Sequence, residues 1–397
     1  MPANARPSPR NFPDNLLMAA AHPDPYPYYA ALLAYRPFYR EAQLGLWVAL
    51  GAGAVRAVLE HPHCRVRPTT EPVPANLAGS PAGDVFNQLV RMTDGERHGA
   101  LKPALSACLG ATEPERLVAL ARRAAAACLD TGGSDGLGLD RFLRAYPVRV
   151  VARMIGLPPA AAGEAALLVG DFVHCLSPRS GEAAVARGKA AAAALLDLLE
   201  RNAAPGLRGG VPMLIERLAS LGVTQRDAAL ANILGLMSQT HEATAGLIGN
   251  TLLALARDGR LRRAAAGDDA LLRRLVAEIA RHDPPIHNTR RYVAEDCLLA
   301  GQALKAGDAI LVVLAAANRD PAANPQPHAF DPERAQPICF TFGHGAHACP
   351  GARIAVTLAV IGVQALLARG LDFAAIAGTM SYAASVNARI PVFGAYP

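Results

Sequence analysis

Apolar positions recur along this chain in two different rhythms. From Asp94 to Glu200, runs of alanine and leucine are interrupted by Gly132-Gly, Pro158-Pro and Pro178. Alanine has the highest intrinsic helix propensity and these breaks are strong stops, so the stretch predicts several consecutive helices. Residues Tyr39 to Val55 instead alternate Leu44, Leu46 and Val48 before Gly51-Ala-Gly, which predicts a hairpin followed by a helix. Beyond Pro284-Pro the texture changes again. Arg291-Tyr-Val, Cys297-Leu-Leu and Ile310-Leu-Val-Val-Leu, parted by Gly301 and Gly307-Asp, predict a small sheet. A proline-rich coil from Asn318 to Pro337 follows, helix returns after Arg353, and Leu371 to Phe393 reads as another hairpin. The fold class is therefore mainly α with a smaller β-rich region. Helices are expected over about 50–285 and 350–370, and β structure near 36–50, 288–315 and 371–395. With no internal repeat and no long linker, residues 1–397 are expected to form a single large domain.

Composition narrows the class. Hydrophobic residues make up 52% and charged residues 18%, with a mean hydropathy of +0.18, which excludes disorder and calls for elements buried on several sides. The net charge of +6 is spread without basic tracts, so no nucleic acid partner is expected. Seven cysteines without a C-x-x-C pair argue against a disulfide scaffold or zinc ribbon. The opening segment, Met1 to Pro13, holds four prolines and no apolar run, so a cytoplasmic protein is expected, with no signal peptide and no membrane anchor. Ala228 to Ala256 is almost uncharged, but Ser238, Gln239, Thr240, His241 and Glu242 fall at its middle, where a lipid-facing helix tolerates them least. It reads as a helix buried in protein, crossing the molecule.

The segment Phe342-Gly-His-Gly-Ala-His-Ala-Cys-Pro-Gly351, followed by a helical run from Ile354 to Ala368, carries the clearest chemistry. A cysteine just before a helix N-terminus sits where backbone N–H groups and the helix dipole favour a thiolate. Gly343, Gly345 and Gly351 let the backbone approach a flat group closely. Taken alone, such a cysteine is more often structural. The spacing Phe-x-x-Gly-x-His-x-Cys-x-Gly, however, fixes five of ten positions and should arise by chance in well under roughly one in several hundred chains of this length.

On these residues the sequence resembles the cytochrome P450 family, the family that ligates haem iron through a cysteine thiolate. The resemblance implies a triangular, prism-like fold and a haem b (iron protoporphyrin IX) cofactor. It makes Cys349 the axial metal ligand, places Phe342 beside the thiolate, Gly351 in the ligand loop and His347 on a haem propionate. Further segments follow the same family in order. Glu278 and Arg281, three apart in Leu275-Val-Ala-Glu-Ile-Ala-Arg, match a pair that locks an arginine from the later coil, here Arg334. Pro285-Ile-His-Asn-Thr-Arg-Arg makes Arg291 a second propionate partner, and Asp94-Gly-Glu-Arg-His-Gly-Ala-Leu-Lys adds His98 and Lys102, with lysine where the family commonly has arginine. Lysine keeps the charge but loses the bidentate fork.

In Gln239-Thr-His-Glu-Ala-Thr244 the resemblance assigns proton delivery to Glu242, with Thr240 and Thr244 as the nearby hydroxyls. The usual first threonine is replaced by Ala243, and Thr240 stands where a glycine commonly makes room for oxygen. Thr244 is expected to bond its hydroxyl to the carbonyl of Thr240. The implied reaction inserts one oxygen atom from O2 into a small organic substrate, a secondary metabolite, with electrons from a separate ferredoxin-type donor and its reductase. A monomer is expected. The competing readings are a peroxide-driven haem-thiolate enzyme and a non-catalytic haem-binding sensor. Asn87, Gln88, His174 and His287 are the polar candidates for the substrate pocket.

Overall fold

The structure is a computed structural model that describes residues 12–130, 136–203 and 210–394. The opening segment up to residue 11 and the Gly132-Gly break lie outside these residues. Helix α1 (Tyr26–Tyr35), strands β1 (Phe38–Glu41) and β2 (Leu46–Ala49), helix α2 (Ala52–Glu60) and strand β3 (Cys64–Arg65) come first. Among the described residues ten α-helices follow: α3 (Pro81–Gln88), α4 (Gly95–Gly110), α5 (Pro114–Asp130), α6 (Gly136–Met154), α7 (Pro159–Cys175), α8 (Glu182–Arg201), α9 (Gly210–Ser220), α10 (Arg226–Arg257), α11 (Gly259–Gly267) and α12 (Asp269–His282). Strands β4 (Thr289–Val293), β5 (Cys297–Leu299), β6 (Gln302–Leu304) and β7 (Ala309–Val312) precede the short helix α13 (Leu314–Asn318). An irregular stretch then leads to α14 (Ala352–Ala368), α15 (Phe373–Thr379) and strands β8 (Ser381–Tyr382) and β9 (Pro391–Val392).

The main sheet has the order β1-β2-β7-β4-β3, with β2 and β7 parallel and the other pairs antiparallel. Its register sets Trp47 against Ile310 and Arg291 against the same Ile310 from the other side, so strands far apart in sequence carry Arg291 to a fixed place. Local chemistry explains most boundaries. Ser80 caps α3 by accepting the Gly83 N–H, with Pro81 at the first helical position, and Asp258 and Asp268 cap α11 and α12 in the same way.

One expectation is corrected. The tail does not begin as a hairpin at Leu371: Asp372 accepts the N–H groups of Ala374 and Ala375 at 2.9 and 3.2 Å and starts a helix in the alanine-rich stretch Phe373–Thr379. Only β8 and β9 remain as strands. The segment from Val66 to Met92 contains α3 and the 3₁₀ turn Val90–Met92.

Helix α10 spans 32 residues, roughly 48 Å, and is buried on nearly every side from Ala228 to Thr251. Below it, a lock joins α12 to the coil. Arg281 binds Glu278 through two N–H···O bonds of 2.6 and 2.8 Å and donates to the carbonyls of Asn318, Pro327 and Ala329. Arg334 approaches Glu278 at 3.6 Å and donates to the carbonyls of Pro325, Gln326 and Ala329. The expected partner from the coil is thus the observed one.

Candidate active site

Cys349 lies in the turn between the 3₁₀ segment Gly345–His347 and α14. Its N–H donates to the Phe342 carbonyl at 2.7 Å, closing the loop, and Gly343 and Gly345 take φ of +73° and +64°, values that favour glycine. A Cβ on Gly351 would stand 3.8 Å from the Cys349 sulfur, ordinary van der Waals contact, so this position lies directly beside the sulfur. Cys349 is exposed, the other six cysteines less so. Desolvation pushes its thiol up, against the N–H of Gly351 and the charge of Lys102. Phe342 is half-buried against the main core.

A set of basic groups converges beside this loop. Lys102 Nζ donates to the Ala348 carbonyl at 2.6 Å, one residue from the cysteine. The rings of His98 and His347 lie 4.1 Å apart. His98 is buried, its Nε2 has no hydrogen-bond partner, and burial with the charges of His347 and Lys102 brings it down to about 4. His347 Nε2 pairs with Asp94 Oδ1 at 3.1 Å, while Asp94 Oδ2 accepts the Val66 N–H at 3.0 Å. Burial would raise the Asp94 pKa, but these two bonds hold it below its ordinary value. Arg291 is buried and, among the described residues, reaches only the adjacent Arg290 carbonyl and Thr289 within its own strand. Asp94 escaped the sequence reading. Its position before α4 looks like an ordinary N-cap, yet its carboxylate makes no cap and is spent on Val66 and His347.

The middle of α10 is the second half of the site. Between Ala228 and Thr251 only Leu236, Gln239, Thr240, Glu242 and Ala243 keep appreciable exposure. Leu236, Gln239, Thr240 and Ala243 are spaced as i, i+3, i+4 and i+7, one stripe of the helix, with Glu242 at its edge. Thr244 is 1% exposed, and its hydroxyl pairs with the Thr240 hydroxyl at 3.0 Å; the expected bond to the Thr240 carbonyl is replaced by this side-chain pair. Burial pushes the Glu242 carboxyl up, against the opposing charges of His174, Arg144 and Arg91.

Of the four polar pocket candidates, His287 is fully buried and hydrogen-bonded to the Tyr29 hydroxyl at 3.0 Å. Asn87 is taken by Arg67 and Gln88 by Arg97. Two open hollows of about 410 and 600 Å³ lie between α5, α12 and α14 and between α11, α14 and α15; neither includes Cys349 or the middle of α10.

These residues fit a flat, doubly anionic cofactor with one thiolate ligand. Cys349 is exposed, and among the described residues a buried imidazole nitrogen lacks a partner and a buried guanidinium bonds only within its own strand. Among the described residues no three His, Cys, Asp or Glu converge on a metal site, so a metal at Cys349 would take its other ligands from the cofactor.

A loop with one exposed cysteine and a polar turn in a buried crossing helix define the haem-thiolate class of protein. Comparison with known proteins agrees. The cytochrome P450 family model matches residues 227–369. The cytochrome P450 monooxygenase PikC of Streptomyces venezuelae is 29% identical over 361 residues, covering 88% of this chain and 85% of the relative. The 6-deoxyerythronolide B hydroxylase of Saccharopolyspora erythraea is 31% identical over 248 residues, 61% of this chain and 60% of the relative. In fold, the chain matches the crystal structure of CalO2 with a TM-score of 0.82 at 24% identity, covering 97% of this chain and 98% of that one. The chain belongs to the cytochrome P450 family, whose cofactor is haem, and it is a monooxygenase, an oxidoreductase that uses O2. Among the described residues no helix is long and apolar enough to cross a membrane.

Proposed function

We propose that this chain is a cytoplasmic, monomeric haem b monooxygenase of secondary metabolism, one catalytic domain over 1–397, fed with electrons by a separate ferredoxin-type protein. The observation that carries the reading is the exposed Cys349 in its loop, with Lys102 bonded to the neighbouring Ala348 carbonyl and His347 of the same loop set against the His98 ring. When bound, a thiolate-ligated haem supplies the activation of O2 from which one atom passes to the substrate and the other leaves as water.

The chain's own residues set the conditions for that chemistry. Cys349 supplies the thiolate, with Phe342 packed alongside and Gly351 directly beside the sulfur. Arg291, His98 and Lys102 present donors to two carboxylates, and His347 does so while held by Asp94. Glu242 holds a proton at its carboxyl, since burial favours the neutral acid, and releases it toward the stripe of α10. Ala243 offers no hydroxyl there. Thr240 is the accessible end of the Thr240–Thr244 hydroxyl pair and is the second carrier, alongside an ordered water or a hydroxyl of the substrate. The relatives named PikC, 6-deoxyerythronolide B hydroxylase and mycinamicin IV hydroxylase/epoxidase support a small organic secondary metabolite as substrate.

Ala243 also favours a second reading, a peroxide-driven enzyme that needs no proton relay. Product formation with O2 plus an electron donor, with peroxide, and with neither separates the two. Product only with O2 and electrons supports the monooxygenase, product with peroxide alone supports the second reading, and product in no arm contradicts both.

A further inference from the structure

The turn Gln88–Met92 between α3 and α4 is fastened to α10. Asn232 accepts the Val90 N–H at 2.8 Å and donates from Nδ2 to the Gln88 carbonyl at 2.9 Å. Leu89 sits in the space that Gly235 leaves, since a Cβ there would stand 2.7 Å from Leu89 Cδ2. These contacts fix the position of the next polar residue, Arg91. Its Nε is sealed from solvent without a hydrogen-bond partner, and among the described residues no carboxylate comes within ion-pair distance of its guanidinium. Arg91 as a whole keeps partial exposure, but a guanidinium cannot shed its proton, so the sealed side of the group is stabilised by an anion or by acceptors brought to it.

The nearest charge it feels is Glu242, at the edge of the open stripe of α10. Glu242 is one carboxyl shared among several cations. The same carboxyl also faces Arg144 and His174, and burial holds it toward the uncharged acid. Positive charge is therefore in excess here. Gln239, three residues before Glu242 and on the stripe, is exposed and has no side-chain hydrogen bond among the described residues. Its Nε2 lies 3.8 Å from where a Gly235 Cβ would be, the space that Leu89, two residues before Arg91, borders.

We propose that Arg91, with the Gln239 amide as second donor, holds a carboxylate of the substrate beside α10, so that this enzyme selects an organic acid over the corresponding neutral molecule. This rests on the monooxygenase reading above. A carboxylate also occurs on the haem, and the test separates the two sources.

The haem-loaded full chain is titrated with straight-chain carboxylic acids of six to sixteen carbons and with the matching primary alcohols, reading the shift of the main haem absorption band, with haem content and the reduced carbon monoxide spectrum recorded on each sample. The best acid is expected to bind about tenfold or more tighter than its alcohol, the scale of a charge-assisted hydrogen bond. Arg91→Gln should remove that preference with alcohol binding unchanged, Arg91→Lys should keep part of it, and Gln239→Leu should reduce it several-fold. Equal binding of acid and alcohol, no shift with any acid, or a preference that survives Arg91→Gln would overturn the proposal. So would faster haem loss from Arg91→Gln to an excess of apomyoglobin with the preference intact, which assigns the guanidinium to the cofactor's carboxylate. A normal carbon monoxide band beside any of these results sinks this inference alone, whereas absence of the band in the unmodified protein sinks the monooxygenase reading.

Discussion

Replacing Glu278 by glutamine tests how the lock beneath the site is held. The Glu278 side chain is 3% exposed and that of Arg281 fully buried. Glu278 accepts two bonds from Arg281, one from the Asp331 N–H at 3.0 Å, and faces Arg334 at 3.6 Å, so a single carboxylate balances two guanidinium groups. Glutamine keeps the shape but removes the charge, leaving both cations enclosed with only carbonyl acceptors. Breaking a buried pair from one side costs about 3–5 kcal/mol. A folded domain has a net stability of about 5–15 kcal/mol, so the loss is roughly a fifth of it or more. The assay is urea unfolding of the haem-loaded protein followed by far-ultraviolet circular dichroism, comparing the unmodified chain, Glu278→Gln and the double variant Glu278→Leu/Arg281→Met. The double variant should recover only part of the loss, because the carbonyls of Asn318, Pro327 and Ala329 lose their donor. A loss below about 1 kcal/mol in Glu278→Gln would refute the reasoning.

Other consequences are accessible to simpler measurements. Glu242→Gln should lower turnover by about a hundredfold, a typical general-acid contribution, and divert electrons to peroxide, whereas Thr244→Ala should do less; unchanged turnover and coupling would exclude Glu242 from proton delivery. The same Glu242→Gln change should stabilise the fold at alkaline pH, because a carboxyl with a raised pKa loses folded-state stability as pH climbs through that value, and the gain over the unmodified protein should vanish in acid. For Asp283 the sign is opposite: burial raises its pKa, but Arg389 at 2.8 Å and the Tyr26 hydroxyl more than offset this, so stability from the pair is present above the ordinary carboxylate range and is lost as pH falls through the lowered value. Asp283→Asn should therefore flatten the acid limb of a stability-against-pH curve. Gly246→Ala should destabilise by about 1–3 kcal/mol in thermal melts, since the added Cβ would meet Pro285 at 2.8 Å and the Arg389 carbonyl at 2.9 Å.

Much of this molecule was legible in its residues because the signals were local or tightly spaced. The uncharged run at Ala228–Ala256 marked α10 to within a turn, and the Cys349 spacing and the Glu278–Arg281 pair pointed to their neighbours directly. What escaped depends on long-range register. Asp94 looks like a cap until the sheet brings Val66 and the cysteine loop brings His347 to it. Arg91 and Gln239 are unremarkable in sequence, and become a pair only because Asn232 and Gly235, more than 140 positions from the turn, fasten it to α10. The helix after Asp372 was hidden for the opposite reason: one cap and a short alanine-rich run outweighed the turn-like residues around them.

The central claim is that Cys349 holds the haem through its sulfur. The most direct test is the carbon monoxide spectrum of the reduced protein, recorded for the unmodified chain and for Cys349→His, with haem content measured on both. The account predicts the strongly red-shifted band of thiolate ligation in the unmodified protein and its disappearance in Cys349→His even where haem is retained. The same red-shifted band in the variant would contradict the account, because it would place the thiolate on another residue.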